Sequence, residues 1–306
     1  MKNTVDNPIY RRMLRPESLA DRLEYLDYMV EYYFKVAMAL KQVRFKSLFR
    51  AEMATSLQMM YTKGKAMLSL AQGMEQMVNG LVVKTSADHT LLYTIVRTAY
   101  EQLCAFELIC VIPDTEEKKH IMENIYIASG EVNRLKFFTE EQKARNYAQV
   151  ADVEKEIERC RREIEQTLLY QSLTKVEKAA LEKTIFKKGE YQVVLTSDGK
   201  CVSHVGWNDV RKYCGLGTDA LYGMYKYACN MAHPSHLALG QFYEAYKEGA
   251  IDELNDTAVM QMISMMSVFA IDFIEVFPEV KYVYDKLDEE SQFMVRMYSE
   301  SFRKGT

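Results

Sequence analysis

Proline is scarce in this chain, with five residues in 306, and glycine supplies only 13. Both punctuate structure, so long uninterrupted elements are expected. No CxxC pair and no zinc-finger spacing links Cys104, Cys110, Cys160, Cys201, Cys214 and Cys229, which leaves neither a disulfide framework nor a structural zinc site to read. They read instead as reduced thiols of a cytoplasmic protein. No signal-peptide pattern opens the chain. A strong charge of either sign is missing too: the net charge of −4 gives no general attraction to nucleic acid. Val259–Phe277 is the one apolar stretch of near-membrane length, and it carries Gln261, Asp272 and Glu275. Charges facing lipid are costly, so it reads as a buried helix and no membrane span is expected. A Gly-rich phosphate loop, a nucleophile elbow and an HExxH pair are all absent, as are internal repeats and any cofactor-binding motif.

What is present favours helices. Hydrophobic residues make up 48%, and 19 methionines read as flexible core filling. A helix from about Pro16 to Leu40 is expected, with Glu17 and Asp21 at its start and Tyr25, Tyr28, Tyr32, Tyr33 and Phe34 on an aromatic core face. Arg11, Arg12 and Arg15 lie in an irregular leader. Lys41, Arg44, Lys46 and Arg50 read as a solvated basic patch. A second helix, Phe45–Val78, ends at Asn79-Gly80. Thr85 or Ser86 caps a third that runs to about Val111, and Glu116–Phe138 forms a fourth. Ser197-Asp198-Gly199, between two β-prone runs, signals one small hairpin near Tyr191–Val205, with His204 in a turn or exposed. Gly249–Asp256 reads as a connection, capped by Asn255, Asp256 or Thr257, before a helix to Phe277. A terminal helix covers Leu287–Arg303. The fold class expected is all-α: an irregular multi-helix bundle forming a single domain over residues 1–306, with one small β-hairpin and a charged helical hairpin arm.

That arm spans residues 139–186. Within it Val150, Val153, Ile157, Cys160 and Ile164 alternate steps of three and four, an a/d seam of about two heptads. Such a seam seeks a cover, either the return helix of the same chain or a partner, so the arm is expected to serve a homo-oligomer or protein contact unless Leu173–Phe186 closes it.

The chemically capable side chains concentrate in Thr218–Phe242. Thr218 can cap a helix that Pro234 ends or kinks. Tyr222, Lys226, Cys229, Asn230 and His233 share a face, and Tyr225, Cys229 and His233 form an i, i+4, i+8 row. A histidine beside a lysine and tyrosines is general acid–base equipment, and equally the content of a capped, buried helix end. In the third helix Arg97 and Glu101 stand four apart among apolar positions. There each charge needs a partner, so Arg97 and Glu101 are expected to be paired and partly buried against the helix that carries His233, with Arg97 reading as a structural bridge or an anion-binding group.

Two of these pieces resemble an uncharacterised, bacterial, all-helical family with an Arg-x3-Glu helix (here VRTAYEQL) and a Tyr-x3-Ser-x3-His segment (here Tyr225-x3-Cys229-x3-His233). Cys229 stands where that pattern has serine. More distantly the chain is similar to HEPN-like helical proteins, some of them metal-independent ribonucleases, although it lacks their Arg-x4–6-His motif. Three functions follow as expectations. The first is a helical interaction or ligand-binding protein. The second is a metal-independent ribonuclease, with RNA as the partner, in which His233 acts as acid or base, Lys226 and Arg97 stabilise charge, and Glu101 and Tyr225 complete the catalytic set. The third, ranked last, is a metal hydrolase using Cys229, His233 and His236.

Overall fold

The structure is a computed structural model, and it describes residues 16, 18–85, 87–196, 201–217 and 219–304. The expected leader with Arg11, Arg12 and Arg15, as well as Glu17, Ser86, the Ser197-Asp198-Gly199 turn and Thr218, lies outside the described residues. In chain order the elements are α1 (Leu19–Leu40), α2 (Leu48–Ala71), β1 (Met74–Val78), β2 (Leu81–Thr85), α3 (His89–Phe106), α4 (Glu116–Lys136), α5 (Glu140–Arg145), α6 (Tyr147–Glu165) and α7 (Leu168–Ser172). There follow α8 (Lys175–Glu182), β3 (Val193–Leu195), β4 (Cys201–Ser203), α9 (Trp207–Tyr213), α10 (Asp219–Met231), α11 (His236–Glu248), α12 (Ile251–Val276), α13 (Lys281–Asp285) and α14 (Glu289–Lys304). Helices dominate, so the fold is all-α. The chain divides into two compact units, Met1–Leu103 with Gly215–Thr306, and Cys104–Cys214.

In the first unit α12 is the central helix. Val259, Met262, Met266, Phe269 and Phe273 are fully buried along it, and α1, α2 and α14 pack around it. By length and composition α12 could cross a membrane, but 72% of its most apolar window is buried inside the protein. Gly64 of α2 faces the end of the Met266 side chain of α12, where a Cβ would stand 2.8 Å from Sδ, so the two helices pack closely here. Tyr33 Oη donates to the Met266 carbonyl at 2.6 Å, and Tyr25, Tyr32 and Tyr33 are buried as expected of the aromatic face, while Phe34 is exposed. The buried carboxylate of this core is paired: Arg303 Nη2 reaches both oxygens of Asp272 at 2.6 Å. Ser18 caps α1 in a reciprocal box with Asp21. Of the expected basic patch, Arg50 is structural: it binds Glu279 at 3.1 Å and lies over the Phe277 ring.

Three boundaries differ from the sequence reading, each for a local reason. First, α2 stops at Ala71 and does not reach Val78. Gly73 takes φ +85 and its amide closes on the Leu70 carbonyl, so the helix ends there. Asn79 and Gly80, at φ 51 and 81, then make the two-residue turn of a β1–β2 hairpin rather than a helix cap. This hairpin is additional to the expected one, which is present as β3–β4. Second, Thr85 ends β2, and Asp88 is the residue whose carboxylate accepts from the Thr90 amide at the start of α3. Third, the expected connection after Gly249 is almost absent. Gly249, at φ 72, closes α11, and α12 begins two residues later with Asp252 and Glu253 in its first turn. Asn255 is therefore a buried helical residue that donates to the Ala87 carbonyl at 3.2 Å, not a cap.

In the second unit α4 packs against α6. Val150, Val153, Cys160 and Ile164 are buried there and Ile157 is half-buried, so α4, and not the expected Leu173–Phe186 return, covers most of the a/d seam. Arg159 Nη1 reaches Asn124 Oδ1 of α4 at 3.2 Å, and Arg161 binds Glu182 of α8 at 2.7 Å while lying over the Phe186 ring. His204 is exposed at φ 60, with its Nδ1 2.6 Å from a Glu190 carboxylate oxygen.

Candidate functional site

Spacing four on α3 places His89, Tyr93, Arg97 and Glu101 along one stripe. Each meets a side chain from the segment that opens with α10. The His89 ring stacks on Phe242 with centroids 5.9 Å apart, and Tyr93 meets Tyr227 edge-on at 4.8 Å. Arg97 and Glu101 meet the Tyr225, Cys229, His233 row. Arg97 Nε donates to Glu101 Oε1 at 3.1 Å, and the Tyr225 hydroxyl donates to that same oxygen at 2.8 Å. Arg97 Nη1 stands 3.4 Å from His233 Nε2. Arginine only donates, so a hydrogen bond there requires Nε2 as the acceptor, with the imidazole proton on Nδ1.

The cluster grades from covered to open. Tyr225 is buried and its ring packs on Tyr100 at 4.8 Å. Arg97 and Glu101 retain 30% and 26% of their side-chain exposure, and His233 is exposed. Burial, together with the hydrogen bonds to Glu101 and Cys229, pushes the Tyr225 phenol well above its ordinary value. For Arg97, burial pulls downward, but Glu101, Cys229 and Tyr225 outweigh it and the guanidinium is held above its ordinary value. Glu101 thus fixes the cation and the buried hydroxyl with one oxygen, leaving the outer edge of the guanidinium toward His233.

The turn that carries His233 is held from both sides. The Asn230 side chain donates to the Lys226 carbonyl at 2.9 Å, and the Ser235 hydroxyl donates to the Asn230 carbonyl at 3.1 Å. That hydroxyl also accepts from the Ala238 amide, capping α11. Helix α10 ends at Met231, just before the position where Pro234 disfavours helix.

Not every expected residue joins. Lys226 is exposed, and no hydrogen bond among the described residues draws its ammonium to Arg97 or His233. Tyr222 has its backbone in α10, but its side chain lies outside the described residues. Asn230 serves the turn. Cys229, His233 and His236 do not assemble into a metal-ligating group of three among the described residues. Two members of the stripe, His89 and Tyr93, carry no sequence expectation: His89 is fully buried, both its ring nitrogens lack a hydrogen-bond partner among the described residues, and burial pushes it below its ordinary value. The signal for it was the four-residue spacing to Tyr93 and Arg97.

The sequence profile of a family of unknown function, DUF5677, matches residues 85–249, more than half of the chain. The matched segment contains every residue of the cluster. No curated protein matches the chain, and no solved structure does.

Proposed function

The chain belongs to this family of unknown function, and we propose that the Arg97–His233 rim is the place where it binds a phosphate-bearing ligand. The observation that carries the reading is the geometry of Arg97. Its Nε is committed to Glu101, while Nη1 points at an exposed imidazole nitrogen 3.4 Å away. A contact that long is weak. An anion entering at the rim exchanges it for charge-assisted hydrogen bonds, which are roughly twice as strong as neutral ones. Glu101 then acts as a positioning residue, holding the cation where it is. The probe is inorganic phosphate and a short RNA oligonucleotide, each titrated into the protein at low salt. Arg97→Ala removes about 1.5–3 kcal/mol of binding, roughly 10- to 150-fold in Kd. Equal binding by the parent and Arg97→Ala would retire the site.

A second reading, RNA cleavage without a metal, is favoured by the exposure of His233 beside that cation. His233 Nε2 takes the proton of a ribose 2′-hydroxyl, the 2′-oxygen bonds to phosphorus, and the P–O5′ bond breaks with O5′ taking a proton from water. Arg97 faces the charge that builds on the phosphoryl oxygens. Loss of a general base costs about 10²–10⁴ in rate. The protein then cleaves RNA in chelator and His233→Ala does not, with an unchanged circular dichroism spectrum. Binding without cleavage leaves the ligand-binding reading alone.

A further inference from the structure

Within the first unit, around the end of α12, the surface sinks into a cleft of about 590 Å³, a size typical of small-molecule sites. Its floor is apolar: Ile271 and Ile274 of α12 and Pro278 lie along it. Tyr284 is buried at the edge, and its hydroxyl donates to the Gln292 carbonyl at 3.1 Å, so that ring is a fixed wall. Three helices meet here and each adds a charge to the lining: Glu275 from α12, Lys281 from α13 and Arg296 from α14. Among the described residues none of the three has a hydrogen bond or an ion pair. The charges next to them are taken. Arg303 Nη2 holds Asp272 at 2.6 Å, and Glu279 binds Arg50 at 3.1 Å. Arg296 stands against the wall: burial raises the Tyr284 phenol, and the guanidinium beside it pulls the other way. An exposed charge needs no partner. What marks these three as a site is that both signs stand unpaired around one apolar floor.

We propose that this cleft binds an α-amino acid with an apolar side chain. Arg296 and Lys281 take its carboxylate, Glu275 takes its ammonium, and its side chain covers Ile271, Ile274 and Pro278. Each part of the ligand answers one feature of the lining. Arginine presents a fork of N–H donors that matches a carboxylate, and such charge-assisted hydrogen bonds are roughly twice as strong as neutral ones. A simple anion would set a like charge against Glu275, and a simple amine would set one against Lys281 and Arg296. An uncharged apolar molecule would cover the floor while stripping water from three charges, which costs free energy. A zwitterion with an apolar body satisfies all three charges and the floor together. The charges stay in contact with water, so affinity is modest and falls with salt. The cleft shares no residue with the Arg97–His233 rim, and the proposal is independent of that reading.

Saturation-transfer NMR on the full chain, with L-leucine titrated at low salt, reads it directly. Leucine is expected to receive saturation, strongest on the methyl groups that face the two isoleucines. Isocaproate, which lacks the ammonium, and isoamylamine, which lacks the carboxylate, should each bind about fivefold more weakly, the loss expected of one water-exposed ion pair. Arg296→Gln and Glu275→Gln should weaken leucine by a similar factor, and Arg97→Ala should leave it unchanged. Both substituted side chains are exposed and unpaired, so the two variants should keep the circular dichroism spectrum of the parent. No saturation of leucine, or leucine binding equal to that of either analogue, overturns the proposal. So does leucine binding that survives both substitutions, or that Arg97→Ala removes. Should a variant fail to fold, the comparison of leucine with its two analogues decides alone.

Discussion

Glu101 Oε1 accepts from Arg97 Nε at 3.1 Å and from the Tyr225 hydroxyl at 2.8 Å, and a double-mutant cycle over Glu101 and Tyr225 tests whether that oxygen is the anchor of the site. Hydrogen bonds to a charged group contribute about 1.5–3 kcal/mol. Glu101 keeps 26% exposure, so water partly replaces a lost partner and the low end applies. Tyr225→Phe is expected to cost about 1.5 kcal/mol and Glu101→Gln about 1 kcal/mol, the latter because the amide oxygen still accepts but no longer carries charge. Since both substitutions weaken one shared bond, the double variant should cost about 0.5–1 kcal/mol less than the sum. Trp207 lies in the other compact unit, so its fluorescence is the wrong probe. Amide exchange along α3 and α10 reports on the cluster itself. Additivity within about 0.3–0.5 kcal/mol would mean that the Tyr225–Glu101 bond does not hold the two helices, and the account of Glu101 as anchor would fail. The Arg97–Glu101 pair is a smaller matter for stability. With both side chains about a quarter to a third exposed, Arg97→Ala should cost about 1 kcal/mol, far short of the ~3–5 kcal/mol of breaking a buried pair.

Three further outcomes are expected. Burial holds His89 below its ordinary value, so the unfolded chain binds the proton first. Stability is complete above about pH 6.5 and falls below it, by at most about 1.4 kcal/mol per pH unit from this group, and His89→Phe should remove that part of the acid slope in urea titrations at several pH values. The raised Tyr225 phenol works at the other end: its contribution is complete below about pH 10 and is lost above it as the unfolded chain ionises first, so Tyr225→Phe should flatten the alkaline limb of the same titrations. Gly73→Ala places a Cβ 2.7 Å from the Thr85 carbonyl oxygen at a positive φ, and should cost more than about 1 kcal/mol and raise exchange in β1 and β2. Equal stability would show that the α2 end does not set the hairpin.

The all-α class was legible because breakers are rare and helix formers abundant. The second hairpin was not. Met74-Glu75-Gln76-Met77 is helix-forming by propensity, and Asn79-Gly80 serves a helix end as well as a type I′ turn. What decides is Gly73, whose positive φ ends α2 first. The same confusion placed a connection at 249–256, where Gly249 alone makes the break. In each case one glycine conformation, a choice the backbone makes only in context, separated two readings of equal local merit.

The candidate site was half legible, and the division is physical. Spacing of four within a helix is a local fact, so Arg97 with Glu101, and Tyr225 with Cys229 and His233, could be read as rows. That the rows meet is a long-range fact, with 124 residues between Glu101 and Tyr225; it was expected only because two charges among the apolar positions of one helix need cover, and the particular partner, Tyr225, was not named. Lys226 was expected to join because it shares a face with Asn230 and His233. Yet it follows Tyr225 by one residue, about 100° around the helix, and Tyr225 is the residue turned inward to Glu101. Once that bond sets the rotation of α10, Lys226 is carried out to solvent. His233 stays within reach of Arg97 because it lies beyond the end of α10, in a turn whose geometry Asn230 and Ser235 fix. The helix supplies the buried anchor and the turn supplies the exposed imidazole, and Pro234 is the element that separates the two.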